Sequence, residues 1–246
     1  MAGQFNVLRK VFHFSGILFA IIYYNDSLRT FPGEIFQENT RSFLFYVLIL
    51  AYLVMVMVEF LRFRFEIVQK LFIRFVGKLL KPDEVNKMHG SMPFFLGLAV
   101  TTGFFMRDIT IIGALFLMVG DPCAAWFGGR FGKHKLKNGK SIEGLAAGIT
   151  GAFVAGLLYI FLNSALEPNN ILSENFNTNP LMILTILLAT AMGAFIAELY
   201  SSPGFFDDNF VIPVVSGLVM SFLFTLIFQL NINHVFYSLN DLLLPK

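Results

Sequence analysis

Seven stretches of this chain are apolar and free or nearly free of charge. They cover roughly residues 11–25, 42–58, 91–106, 109–129 interrupted by Asp121, 145–166, 176–197 and 210–233. A helix that crosses a bilayer needs about 20 such residues, within a range of about 17–25, and it satisfies every backbone polar group inside the segment. The first and third stretches are the shortest. Composition points the same way: 56% of residues are hydrophobic, 14% are charged, 31 are Phe, and mean hydropathy is +0.70. A water-soluble core could not hide that much apolar surface. The expected fold is all-α, a polytopic transmembrane bundle of about seven spans. No internal repeat, low-complexity tract or linker divides it, so residues 1–246 read as one integral membrane domain.

Arg9 and Lys10 precede the first stretch as they would in a signal peptide, but its far end, IIYYNDS, offers no small-x-small cleavage site. The stretch therefore reads as a retained anchor with Tyr23 and Tyr24 at an interface. In a seven-span topology the N-terminus, the 62–87 loop and the 128–140 loop hold fourteen Lys and Arg. The opposite side holds four, Arg29, Arg41, Arg107 and Lys246. The positive-inside rule makes the first set cytoplasmic. The 163–180 loop, with Glu167 and Glu174 but no Lys or Arg, falls on the other side. Net charge is only +2, which makes no case for nucleic acid, and a single cysteine, Cys123, excludes an intrachain disulfide.

Between the second and third stretches, Arg62, Glu66, Lys70, Arg74 and Lys78 recur every fourth residue, while Val68, Leu71, Phe72, Phe75 and Leu79 fill another face. This predicts an amphipathic helix on the cytoplasmic membrane surface, or a solvated rim helix packed on the bundle. Glu59 and Arg62, three residues apart, fit a helix-surface ion pair.

The chemistry concentrates in GDPCAAWFGGRFGKHKLKNGKSIEG, Gly120 to Gly144. Asp121 is flanked by uncharged residues on both sides, and an ionisable group held at that cost usually has a job. Arg130, Lys133, Lys135, Lys137 and Lys140 follow, with His134 among them. A carboxylate beside a glycine-rich cationic loop suits a metal-bound nucleotide polyphosphate: oxygen ligands for Mg²⁺, backbone free to approach phosphate, and ammonium groups for the remaining charge. A second block, AELYSSPGFFDDNFVIPVVSG, joins the sixth stretch to the seventh. Alternation of spans then brings Asp121, Lys140, Glu143, Glu198, Asp207, Asp208 and Asn209 to one membrane boundary. Asp207, Asp208 and Asn209 could bind a cation or cap the next helix. Pro122 and Pro213 could each disturb regular helix and free carbonyls. Asp121 could instead pair with an arginine, and Glu198 could be a boundary acid; His13 and Cys123 read as packing residues, and His89 by itself indicates nothing. No Gly-x4-Gly-Lys-Ser/Thr, zinc-ligand cluster or Gly-x-Ser-x-Gly elbow is present.

These two blocks, with looser matches at RKVFHFSG and EFLR (59–62), resemble the dolichol kinase and phytol kinase family, which includes a CTP-dependent diacylglycerol kinase. The resemblance implies transfer of the γ-phosphate of a nucleotide, typically CTP, to the hydroxyl of a lipid alcohol at the cytoplasmic face. It implies acidic roles for Asp121, Glu143, Asp207 and Asp208. Nucleotide binding would fall to Gly128, Gly129, Arg130, Gly132, Lys133, Lys135, Lys140, Ser141 and Asn209, and Mg²⁺ to Asp121, Asp208 and Glu198. The partners implied are a nucleoside triphosphate, a polyprenol, phytol-like alcohol or diacylglycerol, and the bilayer. Phosphatidate-type cytidylyltransferases share a glycine-containing block and a K-x-x-EG element, but their C-terminal signature ends in a Pro-Gly-His-Gly-Gly turn where this chain reads DDNFVIPVVSG. A transporter would also use intramembrane acids, though here they gather at one boundary and no inverted repeat is visible.

Overall fold

Arg107–Leu115 and Asp121–Phe131 form one apolar rod through the middle of the fold, joined by a π-helical turn at Phe116–Gly120. The computed structural model in which this is seen describes residues 16–25, 40–77, 89–136, 139–202 and 204–237. Arg9, Lys10, His13, Arg29, Lys78, Leu79, Lys137 and Lys246 lie outside those residues, as does the start of the first stretch, 11–15. In chain order the helices are α1 (Ile17–Tyr24), α2 (Thr40–Arg64), α3 (Glu66–Val76), α4 (Ser91–Phe104), α5 (Arg107–Leu115), α6 (Asp121–Phe131), α7 (Ile142–Leu166), α8 (Ile171–Thr178), α9 (Pro180–Glu198), α10 (Asp208–Phe228) and α11 (Ile232–Val235). No strand is formed among the described residues, only two isolated bridges.

The fold is thus the expected all-α bundle. Among the described residues, five helical rods are long and apolar enough to cross a membrane: α2, α5 through α6, α7, α9 and α10. This is compatible with an integral membrane protein. The apolar α4 is shorter, at 14 residues. Two ends differ from the sequence reading. The sixth stretch starts at Pro180, because Asn179 leaves helical geometry and 171–178 turn off as the separate α8. The seventh ends at Phe228, where Gln229 adopts a left-handed conformation.

Pro122 does not break its helix. The rod runs on through it, and the irregularity lies just upstream in the π turn at Phe116–Gly120, whose shifted hydrogen bonding accommodates a residue without an N–H. Pro213 likewise lies inside a continuous α10. Gly97 and Gly113 allow α4 and α5 to close on it: a Cβ on Gly97 would stand 2.9 Å from the Asn209 carbonyl, and one on Gly113 3.0 Å from the Pro213 carbonyl.

Small residues set the α6–α7 distance. Gly144, Gly148, Ala152 and Gly156 are buried along α7. A Cβ on Gly148 would meet the Phe195 ring at 2.5 Å, and one on Gly151 would meet Cys123 Sγ at 2.8 Å. Cys123 is therefore a packing residue, as expected.

Three expectations are corrected. Tyr23 is buried in the core, so it is no interface residue, and Tyr24 packs edge-on against Tyr159 and beneath Arg107. Glu59 and Arg62 are not a surface pair: both side chains are buried, and Arg62 donates to both Glu59 oxygens at 2.9 Å and to Gln69 Oε1 at 3.2 Å. That bridge joins the end of α2 to the start of α3 across an extended Phe65, so Arg62 belongs to the preceding helix and not to the amphipathic one. The expected amphipathic helix exists as α3, with Ile67 and Phe75 exposed and Phe72 buried.

At the bundle end away from the lysine loop, buried Asp108 accepts from the Tyr159 hydroxyl, and Arg107 bridges Asp108 and Glu167. Arg41 is also internal, donating to the Thr102 and Gly103 carbonyls at 3.0 and 2.6 Å.

Candidate active site

Three helix ends meet at the site. Asp121 opens α6, Glu198 closes α9 and Asp208 opens α10. One carboxylate oxygen from each lies within 4.8 Å of the others, with Asp121 and Glu198 buried. A helix dipole favours Asp208 at the start of α10 and disfavours Glu198 at the end of its helix, whereas Asp121 lies inside the continuous α5–α6 rod. Lys140 offsets that: its Nζ donates to the Glu198 carbonyl at 2.6 Å and to Glu198 Oε1 at 2.9 Å, and lies 3.5 Å from Ser201 Oγ. Like charges this close are relieved by a bound cation or a shared proton, and one ammonium leaves the group of three acids short of neutral. A hard divalent ion with oxygen ligands fits the donor set.

Asp207 and Asp208 part ways. Asp207 is the N-cap of α10, accepting the Asn209 N–H at 2.8 Å, whereas Asp208 joins the cluster. Asn209 is buried and donates through Nδ2 to the Gly90 carbonyl at 3.3 Å and to Asp207 Oδ2 at 3.1 Å, tying α10 to the start of α4. His89 closes that start, its Nδ1 accepting the Ser91 N–H at 3.2 Å.

Gly128 and Gly129 do not form a turn. They are helical, in the last part of α6, and only Gly132 terminates it. A Cβ on Gly132 would stand 2.2 Å from the Gly128 carbonyl and 2.6 Å from Ser141 Oγ; one on Gly128 would stand 3.2 Å from Gly144 Cα. These two glycines thus let the lysine loop fold back onto the start of α7, while Gly129 faces open space. Ser141 is buried and caps α7 by accepting the Gly144 N–H at 3.1 Å. The loop is hairpin-like: Leu136 N–H donates to the Lys140 carbonyl at 2.8 Å, Ile142 N–H to the His134 carbonyl at 3.0 Å, and Gly139 takes φ +82°, which favours glycine.

Glu143 lies outside the three-acid cluster and holds the loop. Its carboxylate accepts the His134 backbone N–H at 3.2 Å and lies 2.6 Å from the His134 ring Nδ1. Arg130 stacks over Trp126 and Phe131, and Lys133 and Lys135 are exposed. Sequence reasoning missed the contribution of Ser201 and the pairing of Lys140 with Glu198. Nothing in the spacing, 58 residues apart, could have signalled that pairing.

Curated proteins similar to the chain include CTP-dependent diacylglycerol kinase 1 of Saccharomyces cerevisiae, 29% identical over 87% of this chain and 71% of its own length. The protein of the same name from Eremothecium gossypii is 26% identical over 87% of this chain and 66% of its own. Over most of its length the chain is thus similar to proteins named CTP-dependent diacylglycerol kinase. The Schizosaccharomyces pombe protein of that name adds 29% identity over 66% of this chain and 72% of its own length. No family model and no solved structure matches the chain.

Proposed function

We propose that this protein is a CTP-dependent lipid-alcohol kinase, one domain over 1–246, acting at the cytoplasmic boundary of the membrane. The observation that carries the reading is the convergence of Asp121, Glu198 and Asp208 beside Lys140, in a chain related to CTP-dependent diacylglycerol kinases. Phosphoryl transfer asks mainly for positioning and charge neutralisation, and these residues supply both.

The three acids would hold Mg²⁺, which when bound neutralises phosphate oxygens. Lys140, at the mouth of the cluster, donates to phosphate in exchange for Glu198. Lys133 and Lys135 from the exposed loop, and Arg130 from the last turn of α6, meet the remaining nucleotide charge. The lipid hydroxyl oxygen attacks the γ-phosphorus, the bond from that phosphorus to the bridging β–γ oxygen breaks, and CDP leaves. A carboxylate of the cluster takes the hydroxyl proton. Asp207, Asn209, Ser141 and Glu143 position this machinery through the contacts described above. The charge count of the loops supports a cytoplasmic site.

The test is purified protein with γ-labelled CTP or ATP, Mg²⁺ and a panel of polyprenol, phytol-like alcohol and diacylglycerol. Label in the lipid phase, greater with CTP, is the expected result. Release of pyrophosphate with a CDP-lipid product would replace this reading with a cytidylyltransferase.

A further inference from the structure

The outward side of α3 carries two stripes next to each other. Ile67, Leu71 and Phe75 recur every fourth residue and are exposed, Ile67 at 74% and Phe75 at 79%. Glu66, Lys70 and Arg74, each one residue earlier, form the neighbouring line and are exposed as well. The other side of the helix is committed to the protein: buried Phe72 packs edge-on against His89 with ring centroids 6.0 Å apart, and Arg62 lies over the Phe72 ring at 4.7 Å. We propose that α3 lies in the cytoplasmic headgroup layer and binds anionic lipid there, with its apolar stripe in the acyl boundary and its cations on the headgroups. This inference stands whether or not the protein is a kinase.

Placement follows from the neighbouring helix. The rod α2 is long and apolar enough to cross a membrane, and its exposed apolar side chains run on to its end at Phe60 and Phe63. A single extended residue, Phe65, then separates α2 from α3 and turns the chain off the α2 axis. The buried bridge from Arg62 to Glu59 and Gln69 fixes that corner. Helix α3 therefore starts where the membrane rod stops, on the side that the positive-inside count makes cytoplasmic. A helix with one apolar and one cationic face at that level sinks its apolar side about 5–10 Å into the boundary between headgroups and acyl chains.

Charge selects the occupant. Arg64, Lys70 and Arg74 are exposed on or beside α3, against Glu66 alone, whose carboxylate lies 2.7 Å from Lys70 Nζ. An ion pair this exposed is weak and exchanges readily for a phosphate oxygen. The surplus is cationic, and anionic lipid of a cytoplasmic leaflet attracts Lys and Arg that come within a Debye length. Pairing with a second copy through the same face would bring cations onto cations. Seating at the headgroups also reaches the acids: Phe72 rests on His89, and the adjoining Gly90 carbonyl accepts from Asn209, next to Asp208. The headgroup plane thus sets the depth of the bundle end that carries the cluster.

The experiment uses the full-length protein with Cys123→Ala and Phe75→Cys, the new thiol carrying a polarity-sensitive dye, reconstituted in phosphatidylcholine vesicles with or without phosphatidylserine. Lipids brominated on their acyl chains quench a dye that reaches the boundary. Quenching is expected to be about threefold greater with phosphatidylserine, and to fall to the phosphatidylcholine level in the double variant Lys70→Gln, Arg74→Gln and at high salt. Dye at Ile67→Cys should report the same. Equal quenching in the two vesicles, or quenching unchanged in the double variant, would overturn the proposal, because the cations would then select nothing. A dye unquenched in both vesicles would overturn it too and leave α3 a solvated rim helix. Shielding of the dye that grows with protein density, instead of with phosphatidylserine, would assign the face to a second copy of the chain.

Discussion

Asp207 has its carboxylate on the Asn209 N–H, and Asp208 has its own among two other acids. The same substitution should therefore act differently on the two neighbours. Asn caps a helix about as well as Asp, so Asp207→Asn should keep most activity. Asp121→Asn and Asp208→Asn remove a negative metal ligand without changing size, and each should lose most phosphoryl transfer. Turnover at saturating CTP across a Mg²⁺ titration measures this, with size-exclusion profiles as the folding control. Lys140→Ala removes charge-assisted bonds worth about 1.5–3 kcal/mol, equivalent to roughly a 10- to 100-fold loss in kcat/KM for nucleotide. Lipid KM should stay near the wild-type value, and steady-state kinetics with each substrate varied in turn checks the split. At this scale the sequence revealed which acids share a boundary, because apolar spans fix depth. It did not reveal which carboxylate caps, clamps or clusters, because that depends on side-chain direction. Glu143 is the clearest case, reading as a catalytic acid beside Lys140 and found holding His134.

Among the elements, α7 carries a strip of small residues that admits its neighbours closely. Gly148→Val would drive a side chain into Phe195, and overpacking of this kind costs about 1–3 kcal/mol. Thr150→Ala, on the exposed side of the same helix, should fall within about 0.5 kcal/mol of wild type. Denaturation of the detergent-solubilised variants compares them. Most long helices were legible as uncharged stretches, since length and hydropathy alone mark a membrane rod. The break at Phe65 was not, because neither Pro nor Gly announces it. The buried Arg62 bridge holds it, a contact between residues of two helices. The π turn before Asp121 was signalled only by the neighbouring Pro122, as no residue type in FLMVG demands one.

For the whole molecule, the loop charges argue an orientation with the lysine loop in the cytoplasm. Arg41 on the far side and Arg62 on the near side are both internal, so the count between the two sides becomes thirteen to three. A cysteine placed at exposed Lys133, in a Cys123→Ala background, should react with an impermeant maleimide only after the cell membrane is opened. Labelling of intact cells would invert the topology. The close α6–α7 seam also has a consequence for the accuracy of the site. Glycine at 120 and 148 lets both helices rest on the Phe195 ring of α9, three residues from Glu198, which makes that ring a common gauge for the helices bearing Asp121 and Glu198. A metal tolerates errors of only tenths of an ångström among its ligands, so missing side chains several residues from the chemistry keep the instrument in calibration.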